Sequence, residues 1–314
     1  MTNTTSTSTS AGTAAAPATL VTGATGTTGR RVTAGLIAEG TRVKAAARTA
    51  GRGTAHTGAE AVRFDWNEPA TWTEALDGVD RAYLVPPTGS PDPAAVMLPF
   101  LRQARAAGVR RAVLLSSSAI PAGGPAVGRV HEQLPGLFEE WAVLRPSWFM
   151  QNFAGSAPHA RTIREDGAIL TAAGDGRVGF VDADDIAAVA VRALTGERAP
   201  DTDLILTGPQ ALSYTDAAAI ISDVTGRPVV HRQLTYEELR DRWAARIPLE
   251  FATMLARMDR AIAEGAEDRT SDTVERITGR PPGTLRAFVE RELRAGASRA
   301  HEPAEYHSPG PQRP

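Results

Sequence analysis

The chain contains no cysteine and a single lysine, Lys44, although 34 of its 314 residues are lysine or arginine. The first absence excludes disulfides, thiolate nucleophiles and thiolate metal sites. The second means that any mechanism needing a lysine beside its substrate must use Lys44 or do without. Six histidines, His56, His131, His159, His231, His301 and His307, show no HxH or HxxxH spacing, so no zinc motif is present. The charges nearly cancel, at −2 overall, which leaves no global basic footprint for nucleic acid. No run approaches the roughly 18 apolar residues that a membrane helix requires. The Thr/Ser/Ala-rich start, Met1 to Pro17, lacks the basic and apolar regions of a secretory signal. A soluble, cytoplasmic protein with a small-molecule substrate is expected, with no metal, nucleic-acid or membrane partner.

What is present is a glycine-rich turn in a telling context. The apolar run Ala18-Thr19-Leu20-Val21 leads into Thr22-Gly23-Ala24-Thr25-Gly26-Thr27-Thr28-Gly29, and an amphipathic run from Arg30 to Ile37 follows. Strand, glycine turn and helix in that order make a site for a nucleotide pyrophosphate. Gly23 permits the tight turn, Gly26 lets backbone approach the phosphates, and Gly29 lets the helix pack close to the strand. The helix start, with Thr25, Thr27 and Thr28 beside it, offers N–H groups and a positive dipole end.

Short apolar runs alternate with helical patterns, which predicts a doubly wound parallel sheet of the Rossmann type. Strands are expected near 18–22, 42–47, 61–64, 81–85, 112–116 and 142–145, with helices at 32–39, 93–107 and 129–140. Beyond Pro146 the pattern predicts strands at 178–181 and 203–206, and helices at 186–194, 213–225 and 236–243. A mostly helical stretch follows from 247 to 296. This C-terminal third is expected to form a smaller substrate lobe over the sheet's carboxyl edge. The expected layout is a disordered tail at 1–17, a nucleotide-binding core at 18–155, remaining core elements with the lobe at 156–297, and a disordered tail at 298–314. Asp182, Asp184 and Asp185 precede a helix and read as caps rather than metal ligands.

The second strand ends Ala47-Arg48-Thr49 without the acid that takes ribose hydroxyls in NAD-specific sites. Arg48 stands where an extra phosphate would arrive, with Thr49 adding a hydroxyl, so NADP(H) is expected over NAD(H). Asp65, after the third strand, can accept from the adenine amino group or hold a turn. Val85 and Pro86 end the fourth strand beside the cofactor, with Pro87 next toward the substrate. Ser116 and Ser117 end the fifth strand, and Pro146 ends the sixth.

The runs Gly128-Arg129-Val130-His131-Glu132-Gln133-Leu134 and Leu144-Arg145-Pro146-Ser147-Trp148-Phe149-Met150-Gln151-Asn152-Phe153 stand out in a chain with only 5% aromatic residues. With Phe64-Asp65-Trp66, Thr162–Gly167 and Gly174-Asp175-Gly176-Arg177, they resemble the NmrA-like atypical short-chain dehydrogenases. Within that group they resemble the ergot-alkaloid branch of festuclavine and agroclavine dehydrogenases. The similarity spans about 19–289. It implies a Rossmann fold, NADP(H), and reduction of a C=N or conjugated C=C bond. It also implies that Ser147, Trp148, Phe149, Met150 and Asn152 border the nicotinamide and substrate. The residues agree, since a proline-punctuated loop carrying Trp, Phe and Met makes an apolar wall for a flat ring.

One departure has chemical force. Ordinary short-chain dehydrogenases use Tyr-x-x-x-Lys to protonate a carbonyl oxygen, and none of Tyr83, Tyr214, Tyr236 or Tyr306 precedes a lysine by four. An iminium carbon accepts hydride without a concerted proton, so a site lacking that pair suits C=N reduction. His131 is the candidate acid where one is needed, with Ser117 as the surviving serine. A non-catalytic NADP(H) sensor and a quinone or dye reductase are the competing readings.

Overall fold

The computed structural model describes residues 16–49, 58–87, 89–90 and 92–300. Seven parallel strands form the central sheet. They are β1 (Ala18–Thr22), β2 (Val43–Ala47), β3 (Ala59–Arg63), β4 (Val79–Leu84), β5 (Arg111–Leu115), β6 (Glu140–Pro146) and β9 (Thr202–Leu206), ordered β3-β2-β1-β4-β5-β6-β9. A parallel sheet must be covered on both faces, and the strand residues alternate to match. Leu20, Ala82, Leu84, Leu114 and Val143 point into one core. Val21, Tyr83, Val113, Ala142 and Leu144 point into the other.

The first core is closed by α2 (Trp72–Leu76), α3 (Pro93–Ala106) and α4 (Gly128–Leu137). The second is closed by α1 (Gly29–Ala38), α6 (Ala183–Thr195) and α10 (Thr273–Thr278). The first core holds an edge-to-face cluster in which Phe100 meets Phe64, Trp66 and Trp72 at centroid distances of 5.1, 5.1 and 5.5 Å. It rivets α3 to the segment leaving β3.

The lobe is smaller and mixed. It contains α5 (Pro158–Asp166), α7 (Tyr214–Thr225), α8 (Tyr236–Ala244), α9 (Leu249–Ala263) and α11 (Leu285–Ala300). Two short strand pairs accompany them. β7 (Ala168–Thr171) runs parallel to β11 (Val230–Gln233), and β8 (Arg177–Val178) runs antiparallel to β10 (Leu212–Ser213). Its own core gathers Met150, Phe180, Tyr214 and Phe288.

Boundaries shift where local chemistry intervenes. The third helix ends at Leu137 rather than near 140, two residues past the interior Pro135, and β6 begins at Glu140. The strand expected at 178–181 is only two residues long. Val181 leaves it to bridge Phe149 instead. β7, β10, β11 and the short α2 carry too few residues for a period to register. Helix α11 continues through Ser298 to Ala300, where a tail is expected. Residues 1–15 and 301–314 of the two expected tails lie outside the described residues. Asp182 caps α6 by accepting from the Asp184 N–H.

One buried charge fastens the sheet, and one half-buried carboxyl sits in the lobe. Arg111 is 2% exposed. It pairs with Glu140 at 2.6 Å and donates to the carbonyls of Ala193, Leu194, Gly196 and Glu197 at the C-terminus of α6. Five acceptors lose their partner in Arg111→Ala. The expected loss is about 3 kcal/mol of unfolding free energy in urea titration, and a loss below about 1 kcal/mol would refute this role.

Asp259 on α9 accepts from the Ala172 N–H at 2.9 Å, and burial pushes its carboxyl up to about 6. An acid raised in the folded state holds its proton longer than in the unfolded chain. Its contribution therefore favours folding at acid pH and is lost as pH rises through about 6. Asp259→Asn is expected to flatten the stability profile between about pH 4 and 6.5 and to recover up to about 2 kcal/mol at pH 7.5.

Candidate functional site

The strand order reverses direction between β1 and β4, and there the carboxyl ends of the strands part. This is the topological switch point at which open α/β sheets bind ligands. A cleft of about 390 Å³ opens at this point, lined by Gly23, Thr25, Gly26, Arg48, Asp65, Val85, Pro86 and Pro87 together with Ala46, Ala47, Phe64, Trp66 and Asn67.

The glycine turn is shaped by contacts on three sides. Gly23 has a φ of +60°, and a β-carbon there would stand 3.1 Å from Val85 Cβ. A β-carbon on Gly29 would fall inside the van der Waals radius of the Gly23 carbonyl oxygen. Thr22 ties the turn to β4, since its Oγ1 donates to the Tyr83 carbonyl and accepts from the Val85 N–H at 2.7 Å. Helix α1 then starts with no side-chain cap on Thr28 and no acid in its first turn. Its positive end is left uncompensated beside the cleft, which favours an anion there. Thr25, Gly26 and Thr27 are exposed, while Thr28 and Gly29 are buried under them.

The rim carries the polar side chains that end β2 and follow β3. Arg48 and Thr49 are exposed, and only Arg48 lines the cleft. Arg48 makes no ion pair or side-chain hydrogen bond with another described residue. Asp65 holds a turn at the cleft's edge. One carboxylate oxygen accepts from the Asn67 N–H at 2.9 Å in a turn, and the residue also borders the cleft. Trp66 donates its indole N–H to the Val85 carbonyl at 3.1 Å, which fixes the wall opposite the glycines. Phe64 and Trp66 are cleft residues that sequence reasoning placed only as motif neighbours. Pro87, expected on the substrate side, lines this same nucleotide-shaped cleft.

The ends of β5 and β6 belong to a different construction. Ser118, Ser147 and Glu267 meet in a buried network. Glu267 is 3% exposed and accepts from the Ser118 hydroxyl at 2.7 Å and the Ser147 hydroxyl at 3.4 Å. Arg269 pairs with it at 3.2 Å. Arg145 pairs with Asp203 at 2.6 Å and donates to the carbonyls of Ser117 and Ser118. Ser271 reaches the Ile205 carbonyl. The segment between α9 and α10 is thus strapped across the carboxyl ends of β5, β6 and β9. No local pattern marks Glu267, because the serines it accepts from lie more than a hundred residues away.

Several expected site residues turn away from open space. Ser147 is 4% exposed and committed to Glu267. Met150 is 1% exposed and packs in the lobe core with Phe180 and Tyr214. Burial of apolar surface explains its place better than contact with a ligand. Trp148 and Phe149 remain half-buried, Trp148 against the lobe core and Phe149 against the sheet core, so together they bridge the seam. Asn152 is half-buried in the 3₁₀ turn Met150–Phe153. Pro146 is buried at the end of β6, where its carbonyl accepts from the Ser118 N–H.

Ser117 accepts from the Ala119 N–H in a turn. Ser116 Oγ is buried with no partner among the described residues. His131 corrects the sequence reading. It is turned into the interface between α4 and the sheet, 6.4 Å from the Trp141 ring, and lines none of the cleft. Burial pushes its pKa below the ordinary imidazole value. Lys44 is equally committed, donating to the Glu74 carbonyl at 2.9 Å.

Among the described residues no cluster of three His, Asp or Glu is placed to hold a metal, and no helix is long and apolar enough to cross a membrane.

Comparison with known proteins agrees with this geometry. Residues 23–197 match the model of an NAD(P)H-binding family, and residues 139–290 match that of the NmrA-like family. The uncharacterized oxidoreductase YesF of Bacillus subtilis is 45% identical, over 86% of this chain and 93% of its own. Agroclavine dehydrogenase of Claviceps fusiformis is 39% identical, over 72% of this chain and 81% of its own. The crystal structure of Citrobacter sp. triphenylmethane reductase complexed with NADP(H) superposes with a TM-score of 0.74 at 25% identity, covering 88% of this chain and 100% of that one.

The residues present fit a dinucleotide. The turn is cleared of β-carbons, the helix end is uncompensated, and a cleft of suitable size adjoins both. Gly29→Ala is therefore expected to weaken NADPH binding by roughly tenfold or more, by displacing the turn from the phosphates. Fluorescence titration checks this, with circular dichroism to verify the fold; unchanged affinity would refute the role of the close approach. The chain belongs to the NmrA-like family of NAD(P)H-binding proteins.

Proposed function

We propose that this protein is an NADPH-dependent reductase that places hydride on a C=N bond, or on a conjugated C=C bond, of a small molecule. The coarser statement, an NAD(P)H-dependent oxidoreductase of the atypical short-chain dehydrogenase type, accords with the oxidoreductase, dehydrogenase and reductase relatives. The observation that carries the finer one is negative. No tyrosine–lysine pair exists to protonate a developing alkoxide, and the single lysine, on β2, is buried.

The bound cofactor supplies the hydride. The chain's residues hold, orient and shield. The glycine turn and the start of α1 take the pyrophosphate, and Arg48 takes the 2′-phosphate with a forked guanidinium that has no competing carboxylate among the described residues. Asp65 keeps one oxygen for the adenine amino group. Val85 and Pro86 form a stiff wall beside the ribose. Trp148 and Phe149, on the seam between sheet and lobe, exclude water from the reacting face.

Hydride arriving at an iminium carbon neutralises the nitrogen, so proximity and orientation supply most of the acceleration. Reduction of a conjugated C=C adds a proton at the α-carbon, which solvent can deliver. His131 is given no step, because it faces the sheet. A dye-reductase variant of the same reading draws support from the triphenylmethane reductase resemblance.

The test is NADPH oxidation by the purified protein with cyclic imines, enones, quinones, triphenylmethane dyes and simple ketones. Imine- or enone-dependent oxidation is expected. Turnover of ketones with none of imines would overturn the C=N assignment. Arg48→Ala is expected to raise the NADPH dissociation constant roughly tenfold or more and the NADH constant less than about threefold. Equal change in both would remove Arg48 from cofactor choice.

A further inference from the structure

The lobe contains a second cavity, distinct from the nucleotide cleft. It measures about 30 Å³ and lies between α5 and α8, lined by His159, Arg161, Arg242, Trp243 and Arg246 above an apolar floor that includes Leu170. Arg161, Arg242 and Arg246 all border a space only a little larger than a water site needs, Arg161 half-buried and the other two reaching solvent. None of the three forms an ion pair or side-chain hydrogen bond with another described residue.

Their neighbours behave otherwise. Arg240 pairs with Asp241, Arg164 donates to the Gly155 carbonyl, and Arg260 lies over the Tyr236 ring. The acids on the same helices, Glu165, Asp166, Glu237, Glu238 and Asp241, do not line the cavity. Three cationic residues around one space, with no acid in its lining, favour an anion there.

The remaining walls narrow the choice of anion. Trp243 and Leu170 offer an indole and an aliphatic surface, so part of the ligand beyond its charge is apolar. His159 stacks on Phe153, with centroids 5.9 Å apart, and lies 5.7 Å from the Tyr214 ring. Burial pushes its pKa down to about 4. At neutral pH it is an uncharged imidazole with one N–H to donate. Phe153 belongs to the 3₁₀ turn that follows Trp148 and Phe149, so the cavity adjoins the expected substrate side through a single stacked ring.

We infer that this cavity is the binding site for the carboxylate head of a small organic acid with a flat apolar body, held by Arg161, Arg242 and Arg246 against Trp243. A carboxylate fits the volume and accepts the guanidinium fork in two parallel hydrogen bonds. The body extends out of the cavity along the indole. The site is independent of the reductase reading. Whether the acid is the substrate or a separate ligand is distinguished below.

Benzoate and benzyl alcohol serve as probes, followed by tryptophan fluorescence of the full chain. Saturable quenching by benzoate is expected, absent in Trp243→Phe. Affinity is expected to fall roughly tenfold or more in the Arg161→Gln/Arg242→Gln double variant. Benzyl alcohol is expected to bind roughly tenfold more weakly or worse. Circular dichroism and NADPH affinity, both unchanged, report that the variants are folded. The inference is overturned if benzoate does not saturate by roughly 10 mM, the weakest range that one charge-assisted contact implies. Equal binding by the double variant, or by benzyl alcohol, also overturns it.

A second arm compares NADPH oxidation with a carboxylate-bearing enone and with its methyl ester. A preference for the acid that disappears in the double variant assigns the carboxylate to the substrate. Benzoate binding without such a preference assigns it to a separate ligand. Absence of turnover with both compounds counts against the reductase reading and leaves the benzoate result standing.

Discussion

The close approach of α1 to the turn that feeds it is the constraint on which the rest of the site depends. Gly29 lies so near the Gly23 carbonyl that no side chain can stand there, and Gly23 lies against Val85 with a left-handed backbone. Helix, turn and fourth strand are therefore locked together at one point, and Thr22 adds a hydrogen-bonded tie across β1 and β4. Because the strand order reverses there, the lock also places the cleft. The helix end, with neither cap nor acid, points its unspent dipole into a space whose walls are already fixed.

The carboxyl ends of β5, β6 and β9 are held by charge rather than by steric fit. Buried ion pairs are poor sources of net stability but demanding of geometry. Glu267, Arg269, Arg145 and Asp203 join three strand ends and the strap between α9 and α10 in one arrangement. Ser118 and Ser147 serve that network, which explains why they are buried. The lobe is thus fastened to the sheet at the carboxyl ends of its last three strands. Arg111 performs the same kind of fastening at the other edge, on the last carbonyls of α6.

Much of this was legible in the chain. Strands of the central sheet show as short apolar runs because both faces of a parallel sheet are buried. The glycine turn shows because backbone clearance leaves only one residue type possible. The misreadings share a cause. Met150 and Ser147 lie in an aromatic-rich loop after a strand end, a pattern common to pocket walls and to packing seams. His131 lies in a helix whose first turn faces the sheet rather than solvent. One-dimensional pattern distinguishes neither case, since both depend on which way a neighbouring element presses.

By itself the sequence determined the doubly wound sheet, the phosphate turn, the absence of a tyrosine–lysine pair and the capping role of Asp182. Each is local, set by backbone clearance, strand periodicity or the unsatisfied groups of a helix end. Only the tertiary structure decided that Glu267 closes on Ser118, that Phe64 and Trp66 wall the cleft, and that three arginines from two helices and a loop border one cavity with Trp243. Those groups are far apart along the chain, and their encounter is a product of how the lobe folds onto the sheet.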